Sequence, residues 1–378
     1  MGSGMAKKIK VGVLFGGRSG EHEVSLVSAK GIMNAMNKEK YEIVPIGITK
    51  EGRWIASGDP MKALEAGTFE DSVPAALLGD PSQRGLMRLE ESETAMTTAR
   101  LSEIDVIFPV LHGPYGEDGT VQGLLELADI PYVGAGVLGS ALGMDKAVMK
   151  TVFRARGLPV VEHLIIKRKE WERDPQGVMQ RIEDTLAYPC FIKPANLGSS
   201  VGITKVHQRS ELAPALDLAA RYDRKMLAEQ GVSAREIEVS VLGNDDPIAS
   251  VPGEILPSRE FYDYVAKYID DRSELLIPAD LPPETTQRFR ELAIKAYLAV
   301  DCAGMARVDF LLDKDSGQIY VSELNTIPGF TPISMYPKLW EASGISYSEL
   351  IDRLIELALE RHADKSRSET SYQVPGTD

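Results

Sequence analysis

The stretch Gly304–Met335, GMARVDFLLDKDSGQIYVSELNTIPGFTPISM, constrains this chain more than any other. Met305–Leu312 is rich in strand-favouring residues, Asp313–Gly317 is a turn cluster, and Gln318–Leu324 is a second strand. A β-hairpin followed by a glycine-proline loop is therefore expected. Side chains alternate faces along a strand, so Arg307 and Asp309 share one face while Val308 and Phe310 share the other. The same alternation places Glu323 and Asn325 with Ile319 and Val321. Asp309, Glu323 and Asn325 then converge as oxygen donors of the kind Mg2+ takes. On an exposed hairpin the same carboxylates would simply be solvated. Their apolar flanks favour a central strand pair, where buried carboxylates need partners.

A chain of 378 residues suggests two or three domains. Its net charge of −14 argues against non-specific nucleic-acid binding, while local lysines can still hold an anionic small molecule. Cys190 and Cys302 are the only cysteines and no Cys/His cluster exists, so zinc is not expected and a reducing compartment is. No apolar run reaches membrane-spanning length and no signal peptide is evident, so a membrane is not an expected partner. The residues before Met5 are expected to be an addition to the native chain.

Ile9–Phe15 is a compact apolar strand that runs into Gly16-Gly17-Arg18-Ser19-Gly20 and a helix, Glu21–Asn37, before another strand, Tyr41–Ile48. This order implies a parallel α/β unit whose helix start offers backbone N–H groups beside Glu21. GGRSG is not a GxGxxG fingerprint, and no GxxxxGK[ST] loop exists. Residues 50–100 look like irregular surface elaboration without chemistry. His112 stands at the C-terminal end of the strand Ile104–Leu111, where ligands of open α/β sheets sit, although a turn residue bonding only its own loop would look the same.

Beyond the glycine-rich Pro131–Met144, a helix covers Lys146–Ala155 and a strand ends in Lys193. The loop Asn196–Gly202 that follows lies between two strands. Its backbone and the Ser199 and Ser200 hydroxyls can cover phosphates, with Lys193 as a point charge beneath; a plain hairpin turn is the alternative. Glu236–Leu242 alternates strictly, with Ile237, Val239 and Val241 on one face and Glu236, Glu238 and Ser240 on the other. One of these glutamates could hold a ribose, although such faces are usually just solvated. Phe261–Ile269 carries four aromatics beside Lys267 and reads either as a lid or as a packed aromatic cluster. Pro283–Val300 and Tyr347–His362 are amphipathic helices, and the polar tail 363–378 is expected to be disordered. Oxygen ligands for Mg2+, lysines near glycine-rich elements and an aromatic lid together argue for nucleoside triphosphate chemistry.

Six motifs in order, GGRSGEHEVSL, HGPYGEDG, GMDK, IKPANLGSSVG, FYDYVAKY and RVDF…ELNTIPGFTPISMYP, resemble the D-alanine–D-alanine ligases of the ATP-grasp superfamily. The resemblance runs from about Lys8 to Leu359. It implies an α/β (α+β) fold of three domains: a Rossmann-like parallel-sheet domain over 8–140, a central ATP-grasp domain over 141–229 and a C-terminal one over 230–362. It implies a cytoplasmic homodimer that joins two D-alanine molecules, using ATP and Mg2+ or Mn2+, for peptidoglycan precursors. A D-alanine–D-lactate ligase and a non-catalytic nucleotide-binding protein are the alternatives.

Residue by residue, the resemblance gives Glu21 the ammonium of the first D-alanine and links it to Ser199 and Tyr268. It puts His112 near that substrate's carboxylate, and gives the ATP phosphates to Lys146, Lys193, Lys267 and the loop with Ser200. Glu229 and the Val232 backbone would hold adenine, and Glu236 the ribose. Asp309, Glu323 and Asn325 match the metal ligands, Arg307 and the Gly329 N–H the oxyanion stabilisers, and Ser334 with Met335 the site for the second carboxylate. Tyr268 resembles the lid tyrosine of the dipeptide-forming enzymes.

Overall fold

The computed structural model describes residues 7–56, 58–91, 96–198, 200–256, 274–331 and 333–371. Among them the chain forms three sheets in succession. The first grows around β1 (Ile9–Gly16), whose last six residues are all buried. Such an unbroken apolar run suits a strand covered on both faces. It pairs in parallel with β2 (Tyr41–Ile48) on one side and with the strand Val106–Val110 on the other. Between β1 and β2, α1 (His22–Ala35) packs Val24, Leu26, Ala29 and Ile32 inward. The turn into α1 needs glycine: Gly16 has φ +93°, and a Cβ there would stand 2.2 Å from the Ile48 carbonyl oxygen.

Residues 50–100 are not the irregular stretch expected. They carry β3 (Trp54–Ala56), α2 (Pro60–Ala66), β4 (Val73–Leu77), β5 (Leu86–Glu91) and β6 (Met96–Ser102), which extend the sheet by antiparallel pairing. Local signals hold α2: Asp59 accepts the Lys62 N–H at 3.1 Å, proline fills the first helical position, and left-handed Gly67 ends it. The full order is β6-β5-β4-β3-β2-β1-β7, with β7 at Val106–Val110. Helices α3 (Thr120–Leu127) and α4 (Val137–Met144) follow, the latter inside the glycine-rich stretch.

Next, α5 (Lys146–Ala155) leads to β8 (His163–Lys167), α6 (Arg168–Arg173), α7 (Pro175–Thr185), β9 (Cys190–Pro194), β10 (Thr204–Val206), α8 (Arg209–Tyr222) and β11 (Lys225–Gln230). These strands form an antiparallel sheet, β10-β9-β11-β8, with α7 and α8 against one face around Val178, Ile182, Leu212 and Leu216.

The third sheet contains β12 (Ala234–Gly243), β13 (Ile248–Ala249), β14 (Gly253–Leu256), β15 (Glu274–Leu276), β16 (Gly304–Asp313) and β17 (Ile319–Asn325). Between β15 and β16, α9 (Pro283–Ala299) buries Phe289, Leu292, Ala293, Ala296 and Tyr297 at the spacing expected of an amphipathic helix. They meet Ile237, Val239, Val308 and Phe310, with the Phe289 and Phe310 rings edge-to-face at 5.2 Å. Aromatic pairs of this geometry add about 0.5–1.5 kcal/mol beyond the area they bury.

After β17 come α10 (Met335–Ala342) and α11 (Tyr347–Lys365). The last helix runs to Lys365, past the expected His362, because its final turns are tied down: Arg361 donates to the Tyr132 carbonyl at 3.1 Å and His362 meets Asp129 at 2.9 Å. Leu350, Ile351, Leu354 and Ile355 share one core with Val11, Val13, Phe108 and Trp340, so α11 packs the first sheet against the third.

Candidate active site

Val308 and Phe310 enter the core, leaving Arg307 and Asp309 on the other face, as strand alternation requires. On β17 the simple alternation fails. Asp309 pairs with Glu323 and Arg307 with Asn325, yet Phe310 already pairs with Val321. Ser322 is therefore an extra residue, a β-bulge that turns the strand over between Val321 and Glu323. Ile319, Val321 and Leu324 enter the core while Glu323 and Asn325 face away from it. The expectation that Glu323 and Asn325 share a face with Ile319 and Val321 is corrected accordingly. Without the bulge, Glu323 would follow Val321 into the apolar core at the cost of burying a charge.

The three expected metal ligands thus meet. Arg307 Nε and Nη2 each donate to Asp309 at 2.7 Å, Asn325 Nδ2 donates to Asp309 Oδ2 at 3.0 Å, and Lys146 Nζ stands 3.0 Å from Glu323 Oε2. Arg307 also reaches Glu238 Oε2 at 2.9 Å. Glu238 is therefore buried in an ion-pair network, not solvated, and Ser240 beside it donates to the Tyr336 carbonyl at 3.3 Å. Among the described residues no three His, Cys, Asp or Glu side chains form a ready metal cluster. Two carboxylates and an amide oxygen, now countered by Arg307 and Lys146, make a hard-oxygen donor set that fits Mg2+ or Mn2+.

A cavity of about 580 Å³ opens between the second and third sheets. Lys193, Ser200 and Glu229 line it from the second sheet and its loop, Val232 from the link between β11 and β12, and Glu236, Asp309 and Glu323 from the third sheet. Asp145 positions Lys146: it caps α5 by accepting the Ala147 and Val148 N–H groups at 3.2 and 3.1 Å, and pairs with Lys225. Burial by itself would lower the pKa of Lys146; Glu323, with Glu117 and Glu229, outweighs this and raises it.

Glu229 is engaged more heavily than an adenine contact alone would explain. Its buried carboxylate pairs with Lys193 and, at 2.7 Å, with Lys150. Burial would raise its pKa, but the two ammoniums hold it down to about 2. The sequence reading passed over Lys150. Its signal was a lysine on the buried stripe of α5, beside Ala147, Met149 and Phe153.

On the first sheet, Glu21 lies against both neighbouring loops. A Cβ would stand 2.9 Å from its Oε2 at Gly113 and 3.0 Å at Gly198, so glycine permits the approach at each. His112 is buried, with Nδ1 3.1 Å from the Ile327 carbonyl and Nε2 3.5 Å from Ser28 Oγ, which also accepts the Phe330 N–H at 3.3 Å. The strand-end histidine thus joins the loop of the opening motif, beyond its own turn. Burial lowers its pKa, partly opposed by Glu21. Glu117, also missed, accepts the Gly113 N–H at 2.9 Å, and burial together with Glu21 raises its pKa to about 8. Ser334 accepts the Thr331 N–H at 3.0 Å just ahead of α10, and a Cβ on Gly329 would stand 2.8 Å from Ser334 Oγ. The buried Met335 opens that helix, so its N–H belongs to the helix start. The expected roles of Ser199, Lys267 and Tyr268, and most of the aromatic stretch 261–277, lie outside the described residues.

Two family models match: the D-ala D-ala ligase N-terminus over residues 10–135 and the D-ala D-ala ligase C-terminus over 152–356. The D-alanine–D-alanine ligase of Thermoanaerobacter sp. (strain X514) is 57% identical over 96% of this chain and 99% of its own length. That of Natranaerobius thermophilus is 52% identical over 97% of this chain and 99% of its own. Among solved structures, the VanG D-Ala:D-Ser ligase from Enterococcus faecalis superposes with a TM-score of 0.82 at 39% identity, covering 93% of this chain and 100% of that one. The D-alanine–D-alanine ligase from Coxiella burnetii gives 0.80 at 39% identity, covering 96% and 97%.

Proposed function

This chain belongs to the D-alanine–D-alanine ligase family, of ATP-grasp fold, and we propose from that premise how its residues join two D-alanine molecules, with ATP as co-substrate, for cell-wall synthesis. The observation that carries the reading is the single cavity in which Lys193 and Glu229 face Asp309 and Glu323 across two sheets. Phosphates and a metal would be neutralised together there.

A carboxylate is a poor electrophile. Its oxygen attacks the γ-phosphorus of ATP, the bond from that phosphorus to the bridging oxygen breaks, and ADP leaves a D-alanyl phosphate. The neutral amine of the second D-alanine then attacks the acyl carbon, phosphate departs, and the amine loses its proton. Lys146 and Lys193 hold the phosphates, the Ser200 loop covers them, Glu229 and the Val232 backbone seat the adenine, and Glu236 takes the ribose. Asp309, Glu323 and Asn325 would hold Mg2+ or Mn2+, whose charge offsets that of the phosphates when bound. Glu21 takes the first ammonium, and His112 lies near the first carboxylate. Arg307 and the Gly329 N–H stabilise the tetrahedral oxyanion, and Ser334 with the Met335 N–H takes the second carboxylate.

The domain division 8–140, 141–229 and 230–362 is part of this reading, supported by the succession of three sheets. So are a homodimer and a cytoplasmic location. No helix among the described residues is long and apolar enough to cross a membrane.

The deciding experiment measures phosphate release from ATP with D-alanine, D-serine or D-lactate as acceptor. Release that requires D-alanine and yields the dipeptide is expected. Preferred formation of an ester, or release independent of D-alanine, would overturn the reading.

A further inference from the structure

The buried lysine on α5 contacts both sheets that enclose the cavity. Lys150 is 1% exposed; its ammonium pairs with Glu229 of β11 at 2.7 Å and donates to the Ser322 carbonyl of β17 at 2.8 Å. Ser322 is the bulged residue that the β16–β17 ladder skips, so Lys150 satisfies a carbonyl the ladder leaves over. Glu229 shares its other oxygen with Lys193, which is 16% exposed and borders the cavity. These three side chains form a row: a buried cation, a buried anion and a cation at the cavity wall.

We propose that Lys150 is a positioning residue for phosphate binding: by neutralising Glu229 it leaves the charge of Lys193 available to the nucleotide. This deepens the ATP reading above and rests on it. The row carries one net positive charge while Lys150 is present. Without it, Glu229 and Lys193 cancel, and Lys193 is drawn onto the carboxylate that Lys150 no longer shares. Charges this close interact strongly in a poorly hydrated site. Lys150 touches neither phosphate nor metal in this account. It acts through Glu229, and its second bond holds the bulge that orients Glu323.

The test compares the affinity of ADP with that of adenosine, which lacks phosphates, for wild type, Lys150→Met and the double variant Lys150→Met/Glu229→Gln. Titration calorimetry reads both ligands. Wild type is expected to prefer ADP strongly. Lys150→Met should lower that preference about tenfold, leaving adenosine within twofold of wild type. The double variant has no unpaired carboxylate and should recover the preference to within threefold. It is the variant to read if the single one does not fold. Equal weakening of ADP and adenosine in Lys150→Met would mark a purely structural lysine and overturn the proposal. So would an unchanged preference, or a double variant no better than the single. A wild-type protein that shows no preference for ADP at all would instead count against the ATP reading itself.

Discussion

The two ends of the cavity share a construction and differ in sign. At one end Glu229 stands between Lys150 and Lys193, leaving one net positive charge. At the other, Glu238, Asp309 and Glu323 are countered by Arg307 and Lys146, leaving one net negative charge. Each end pairs most of its buried charges, and each keeps one charge over. The surplus cation suits phosphate and the surplus anion suits a metal. A nucleotide triphosphate with its divalent ion presents both partners at once. Lys146 belongs to both ends: it starts α5, pairs with Glu323 and donates to the Leu197 carbonyl of the glycine loop at 3.2 Å.

The largest expected effect tests the negative end. Glu323→Gln keeps the shape and removes the surplus charge, so turnover should fall by more than about a hundredfold, beyond what loss of an outer partner of a metal ligand costs. The metal concentration for half-maximal rate should rise in parallel. Unchanged turnover would remove the metal from this end. Arg307→Lys should come next. It keeps the charge that Asp309 and Glu238 need but loses the fork that grips both. We expect kcat to fall about a hundredfold, the scale of one lost oxyanion donor at ~3 kcal/mol, with little change in thermal stability. A fall in melting temperature with kcat intact would make Arg307 a strut of the sheet alone. Lys193→Met tests the positive end and should be milder. The KM for ATP should rise about tenfold, equivalent to ~1.4 kcal/mol, while the KM for D-alanine stays put. Equal rises in both would erase the distinction between the ends.

How much of this contrast was legible in the sequence follows from where each signal resides. Arg307 and Asp309 were placed correctly because alternation along β16 is a property of one strand, and its apolar partners Val308 and Phe310 declare the buried face. Glu323 does stand opposite Asp309, but on the face that simple alternation denies it. The bulge at Ser322 exists only in the pairing of two strands, and neither strand's own pattern records it. Strands β4 to β6 were missed for a related reason. They are short, antiparallel and toward the sheet's edge: β4 buries only Ala75 and Leu77, too brief an alternation to stand out, and the first five residues of β6 are all exposed. Lys150 was visible in principle. A lysine on the apolar stripe of a helix asks for a buried anion, but Glu229 lies 79 positions away and only the fold supplies the pairing. The motifs of the chain brought the family into view, and long-range charge pairing stayed out of reach.

The smallest expected effect asks whether the negative end continues into the first sheet. Glu117 lies near Glu21, Lys146 and Glu323, and burial with the neighbouring Glu21 lifts its pKa from the ordinary 4.5 to about 8. A carboxyl whose pKa is raised by folding binds its proton more tightly when folded. Its contribution to stability is therefore fully present below the ordinary carboxylate range, and is lost as pH rises through about 8. Glu117→Gln keeps an oxygen that can accept the Gly113 N–H and has no proton to lose. The melting temperature of wild type minus that of Glu117→Gln, measured without ligand, should then fall from pH 5 to about pH 8, by a few degrees, and level off by pH 9. A difference that stays flat would mean that Glu117 is ionised throughout and carries the surplus negative charge on towards Glu21. A difference that falls would mean that Glu117 is neutral below about pH 8, so that the surplus negative charge ends at Glu323.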